Sequence, residues 1–286
     1  MRVLVAIFAL LLAGIPASAC DRTELSSAIP ALHPSMQGGA SVGSQFDAGA
    51  AQEILRLVNE ARQQAGQQPL VMDSALSLAA DAHVLQVLEH GDVEHQFPGE
   101  LALAARLAQG NSRFDQAGEN VALDYSALHA HQTLMASEEH RQNLLNANFN
   151  AVGIAVVWDR CRMYVVQDFA RRLPSYDARQ VEDIVAEKIA ALRNQTQLPQ
   201  LTRQQGRSLT AAACDMAKAG DLRAGVLPPT NARYVLNYSN SQPDALPVGA
   251  GKVIGNGQMR NFSIGACYWR SDKHPTGTYF VTMMFY

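Results

Sequence analysis

An α+β fold is what the sequence predicts: a three-layer α-β-α sandwich with a mainly antiparallel sheet, followed by a second, smaller domain. Three observations predict it. Apolar residues recur at helical spacing in two early segments. β-branched and aromatic residues then fill residues 151 to 170 on either side of a polar turn, as in a terminal hairpin. A fainter series of the same kind runs from about 184 to 286.

Taken in order, the chain opens with Arg2, an apolar run from Val3 to Ile15 and Ala17-Ser18-Ala19, the three parts of an export signal over residues 1–19. That run is shorter than the roughly 20 residues a membrane helix needs. Cys20 follows at once, so the same residues read either as a signal-peptidase site or as a lipobox whose Cys20 is acylated. Ala17 stands where a lipobox usually has Leu. The lipoprotein is the favoured reading, with membrane contact expected only through that anchor; otherwise the protein is expected to be periplasmic or secreted. Lys and Arg number 23 against 26 Asp and Glu, a net charge of −3. Nucleic acid is therefore not the expected partner, since such binding needs a basic surface.

Residues 20–50, rich in Ser, Gly, Ala and Pro, read as a flexible tether. The first helix is expected from about Ala51, with Ile54, Leu55, Val58 and Ala61 on one side and Gly66 and Pro69 ending it. Asp73-Ser74 caps a second helix carrying Leu76, Ala79, Ala82 and Leu85 to Gly91. Shorter helices are expected over 99–108, 126–135 and 140–145. The hairpin over 151–170 closes a domain spanning 51–170. A polar stretch with Pro174 makes 171–183 a linker.

Residues 184–286 then read as a worn second copy. Arg62, Leu70, Ser77 and Leu78 align with Arg193, Leu201, Ser208 and Leu209, and "SLAADAH" lies over "SLTAAAC". Phe149, Gly153, Trp158 and Phe169 align with Phe262, Gly265, Trp269 and Phe285 at a smaller offset. The second copy is thus shorter in its middle, where the first carries its polar clusters. The duplication puts Cys214 on the second helix and Cys267 on the first hairpin strand of one core, so these two are expected to pair, leaving Cys161 over.

Those polar clusters carry the functional reading. "LVNEARQQAGQQPLVMDSALSLAADAH", His95 followed by Arg106, "GENVA", and "SEEHRQNLLNANFNAVGIA" occur in the order seen in the CAP superfamily, the SCP-like extracellular proteins, and residues 51–170 resemble its bacterial form. The resemblance implies the α-β-α sandwich and a cavity lined by His95, Glu119 and His140, with Glu119 ending a loop. Two departures stand out. Leu134 replaces a Trp, and Ser137 stands where eukaryotic members supply a second Glu, leaving Glu138, Glu139 and His131 as local substitutes.

Two imidazoles and a carboxylate are a sufficient first shell for Zn²⁺, with His95, His140 and Glu119 as ligands. The same trio can act as general acid and base. It can also be purely structural, Glu119 accepting backbone N–H groups and His140 capping its helix. Ser137 is expected to cap that helix, Arg106 to be a charge partner at the cavity wall, and Asn120 and Asn143 to fix loops. His83 and His90 share a helix face and are expected to be solvated or partly packed, while His129 and His131 cannot share one. The function expected is binding of an envelope or extracellular ligand, with a metal-dependent hydrolase acting on peptide or peptidoglycan as the alternative.

Overall fold

The computed structural model describes the backbone of residues 2–5 and residues 46–225, 227 and 231–286. Most of the segment read as export signal and tether, Cys20 included, lies outside the described residues. The short strand β1 (Arg2–Val5) falls within that signal and runs parallel to β3 (Phe114–Asp124). The chain divides into two compact units, Met1–Ser112 with Gln116–Arg171, and Arg113–Asp115 with Arg172–Tyr286.

In the first unit α1 (Ala48–Gln64) starts ahead of the expected Ala51, because the Asp47 carboxylate accepts the Ala50 N–H and caps it. Asp73 caps α2 (Ser74–His90) by accepting from Ala75 and Leu76, and Gly91 ends it in a left-handed conformation. α3 (Leu103–Gln109), α4 (Ala127–Ala136) and α5 (Glu138–Leu144) follow, and β4 (Ala151–Asp159) and β5 (Arg162–Arg172) are the expected hairpin. With β2 (Val71–Met72) the sheet has the order β1-β3-β5-β4-β2.

Alternation along β4 builds the layers. Val152, Ile154 and Val156 pack with Ile54 and Val58 of α1, Leu134 of α4 and Leu144 of α5. Ala155 and Val157 face the other way, toward Ala80, Val84 and Val87 of α2. Between them, Gly153 meets α2 so closely that a Cβ would stand 2.2 Å from the Leu76 carbonyl carbon. Arg62, fully buried at the end of α1, donates to the carbonyls of Gln68, Leu144, Asn146 and Phe149, so one side chain fastens both the α1–β2 and the α5–β4 connection.

The second unit contains α6 (Ala178–Gln195), β6 (Thr202–Gln204), α7 (Arg207–Ala219), β7 (Tyr234–Asn240), α8 (Ala250–Ile254), β8 (Asn261–Ser271) and β9 (His274–Phe285). α6 begins inside the span read as linker, on a capping box of Asp177 and Gln180. The sheet order β6-β8-β9-β7 repeats β2-β4-β5-β3. Arg193 repeats Arg62, donating to the carbonyls of Pro199, Ile254 and Asn256. Gly265 repeats Gly153, its Cβ direction running to within 2.1 Å of the Leu209 carbonyl carbon. That contact also corrects the alignment. Leu76 and Ser77 correspond to Leu209 and Thr210, so "SLAADAH" over "SLTAAAC" is slipped, and the buried set Leu76, Ala79, Ala80, His83 and Val84 falls on Leu209, Ala212, Ala213, Met216 and Ala217.

Cys214 and Cys267 are bonded, as expected. Cys161, expected to be left over, is disulfide-bonded too, and its partner lies outside the described residues.

Candidate functional site

Glu119 is the centre of the site, and it lies in the middle of β3, not at the end of a loop. The Gly118-Glu119-Asn120 peptide is fixed by an amide ladder. Asn143 on α5 donates to the Glu119 carbonyl (3.1 Å) and to Asn120 Oδ1 (3.0 Å), and Asn120 donates to Gln167 Oε1 and to the His140 carbonyl. Gly118 is needed there, because a Cβ would sit 2.6 Å from Asn143 Oδ1. Asn120 and Asn143 therefore hold a strand to a helix.

The Glu119 carboxylate has no exposure. His95 Nδ1 donates to Oε1 at 2.8 Å, and Arg106 from α3 donates to Oε2. Arg106 also donates to the His95 carbonyl, so it fastens both partners and is the charge partner that the sequence suggested. Burial raises the Glu119 pKa, but the His95 hydrogen bond and the charges of Arg106, His83 and His95 outweigh it and hold the carboxyl below its ordinary value.

His83, expected to be solvated or partly packed, is fully buried and belongs to this network. Its Nδ1 is 2.7 Å from Glu100 Oε1, its Nε2 3.0 Å from the Glu94 carbonyl and 3.8 Å from Glu119 Oε2. Both ring nitrogens thus face oxygens, which ties the ring to the 94–101 segment on one side and to Glu119 on the other. Glu100 Oε2 accepts the Phe97 N–H and so closes the 94–101 segment. Asp168 of β5, paired with Gly153, is a third acid against Glu119; it is fully buried, and burial and the Glu119 charge push its pKa well up.

His140 lies on α5, 3% exposed, with Nδ1 lacking a hydrogen-bond partner. Burial and the nearby charge of His95 lower its pKa against the pull of Glu139. Glu138 and Glu139 themselves are exposed. His131 is buried on α4, its pKa lowered by burial despite Glu60 of α1. Among the acids and histidines hydrogen-bonded or ion-paired to Glu119 or Arg106, the added groups are therefore His83 and Glu100 and not these three. Ser137 occupies the N-cap position of α5 in an extended conformation but makes no side-chain capping bond, against the expectation that its hydroxyl would cap the helix.

The residues do not fit a resident Zn²⁺. Both Glu119 oxygens are taken by His95 and Arg106, and among the described residues no three of His, Cys, Asp and Glu converge as a ligand set.

Residues 55–169 match the model of the CAP family, the cysteine-rich secretory protein family. The first unit is a CAP domain. It is 32% identical over 121 residues to the uncharacterized membrane protein YlbC of Bacillus subtilis (strain 168), covering 42% of this chain and 34% of that protein. It is 30% identical over 106 residues to the uncharacterized protein YkwD of the same organism, covering 37% of this chain and 41% of that protein. This chain thus spans well under half of either relative. Among solved structures, an SCP-domain extracellular protein from Bacillus anthracis str. Ames is 31% identical, covering 43% of this chain and 40% of that one at a TM-score of 0.40. No helix among the described residues of the CAP-domain chain is long and apolar enough to cross a membrane.

Proposed function

We propose that the CAP domain binds an envelope or extracellular ligand at His95 and His140, on an exported protein and without a resident metal. One observation carries the reading: a fully buried carboxylate, Glu119, is spent on orienting His95, whose side chain keeps 11% exposure. The carboxylate accepts from Arg106, which fixes it, and from His95, whose ring reaches the surface and is thereby held in one orientation. Hydrolysis is not proposed, because the carboxylate that would serve as base or ligand is already committed on both oxygens.

The test is histidine NMR of the full chain titrated with membrane-lipid extracts and with solubilised peptidoglycan fragments. Saturable shifts at His95 and His140 are expected with one of them, abolished in the His95→Ala/His140→Ala double variant at a stability cost of about 1–2 kcal/mol. Binding that survives the double substitution overturns the reading. A parallel Zn²⁺ titration is expected to show no stoichiometric uptake at pH 7.

Anchoring is tested at Cys20. Mass spectrometry of the mature N-terminal peptide is expected to find Cys20 as its first residue, carrying an acyl-glycerol thioether; an unmodified Cys20, or a mature chain that begins elsewhere, ends the lipid-anchor reading.

A further inference from the structure

One acid of the Glu119 network has no donor of its own. Glu100 and Glu119 both contact Arg106 and His83, and Glu119 also contacts His95. Asp168 enters from β5, with no exposure and neither oxygen accepting from any N–H or O–H. An ionised carboxylate so placed costs several kcal/mol of desolvation with nothing to offset it. A protonated one becomes a donor, and the Glu119 carboxylate lies beside it.

We propose that Asp168 is kept as the neutral acid and donates a hydrogen bond to Glu119, which makes it a positioning residue for the His95 site. Glu119 is then held from His95, Arg106 and Asp168 together. The site also stores a proton one hydrogen bond from the carboxylate that orients His95. The groups facing Asp168 agree with this: Glu119 on β3 and Glu100 in the 94–101 segment favour its acid form, and Arg106 on α3 alone opposes it. The equivalent residue of the second unit is consistent too. Thr282, paired with Gly265 as Asp168 is with Gly153, is a neutral donor whose Oγ1 bonds Asn237 Oδ1 at 2.6 Å.

This inference concerns the site of the ligand-binding reading, but its test uses no ligand, so the two fail separately. The full chain is compared with Asp168→Asn, which keeps a donor, and Asp168→Leu, which keeps the bulk and removes it. Infrared spectra at pH 7 are expected to show a protonated-carboxyl carbonyl band in the wild type that Asp168→Asn lacks. The sign of the pH effect follows from linkage. An acid whose folded pKa is raised withdraws stability as pH climbs from its unfolded value near 4. Asp168→Asn should therefore gain on the wild type by about several hundredfold in the folding equilibrium constant between pH 4 and pH 7. The NMR titration of His95 should be retained in Asp168→Asn and displaced in Asp168→Leu, a shift that bulk packing alone would not cause. Absence of the band, or a gain independent of pH, overturns the neutral acid. A His95 titration unchanged in Asp168→Leu overturns the positioning role.

Discussion

Arg62→Met is expected to cost the CAP domain about 4 kcal/mol or more, much of the 5–15 kcal/mol that holds a typical domain. Methionine fills the same space but donates nothing, so the carbonyls of Gln68, Leu144, Asn146 and Phe149 lose their shared donor. Each buried carbonyl left unsatisfied costs about 1–3 kcal/mol. Arg193→Met should act likewise on the second unit. The chain's two tryptophans allow each unit to be read alone, Trp158 reporting the first and Trp269 the second. Denaturant curves on single-tryptophan variants supply the measurement. A loss under 1 kcal/mol in both would show that water replaces the guanidinium and that the arginine is no staple.

Gly153→Ala is expected to cost about 3 kcal/mol or more and to disturb the site as well. The added methyl would stand 2.2 and 2.3 Å from main-chain atoms of Leu76 and Ser77, which no side-chain rotation can relieve, so α2 must move off the sheet. α2 carries His83, whose two ring bonds tie it to Glu100 and the Glu94 carbonyl beside Glu119. Loss of stability should thus appear together with altered His83 and His95 resonances. Gly251→Ala, at a helical position with nothing within 4 Å, is the control and should be neutral or slightly stabilising. If the two alanines behave alike, the close approach is not what places α2.

The helices and the hairpin were legible because their burial is one-sided or continuous, and period and β-branching report that directly. β3 was not legible. It is buried along both faces and carries Gly118, Glu119 and Asn120, so it shows neither alternation nor β propensity, and a polar tripeptide reads as a loop. His83 was missed for a related reason. Its helical position was clear, but which partners face a helix is a tertiary fact that spacing does not contain. Asp168 did leave a trace: Gln167-Asp168 interrupts the apolar run from Met163 to Ala170, and a charge inside a buried strand is a flag in itself. The likeness between the two units rests on Arg193 and Gly265, which sit in the second as Arg62 and Gly153 do in the first and whose roles depend on the backbone. The helix alignment slipped because alanine-rich helices look alike at several registers.

The Cys214–Cys267 bond has a consequence for how the protein is made. It closes a separation of 53 residues between α7 and β8, a constraint that a chain-entropy argument values at about 4 kcal/mol. A unit with that much of its stability in one covalent link is marginal as a dithiol. Before oxidation it is a substrate for chaperones and proteases, and afterwards it is not. The arginine staple, the glycine contact and the amide ladder around Glu119 are non-covalent and form with the fold itself, so the site's geometry does not draw on the Cys214–Cys267 link.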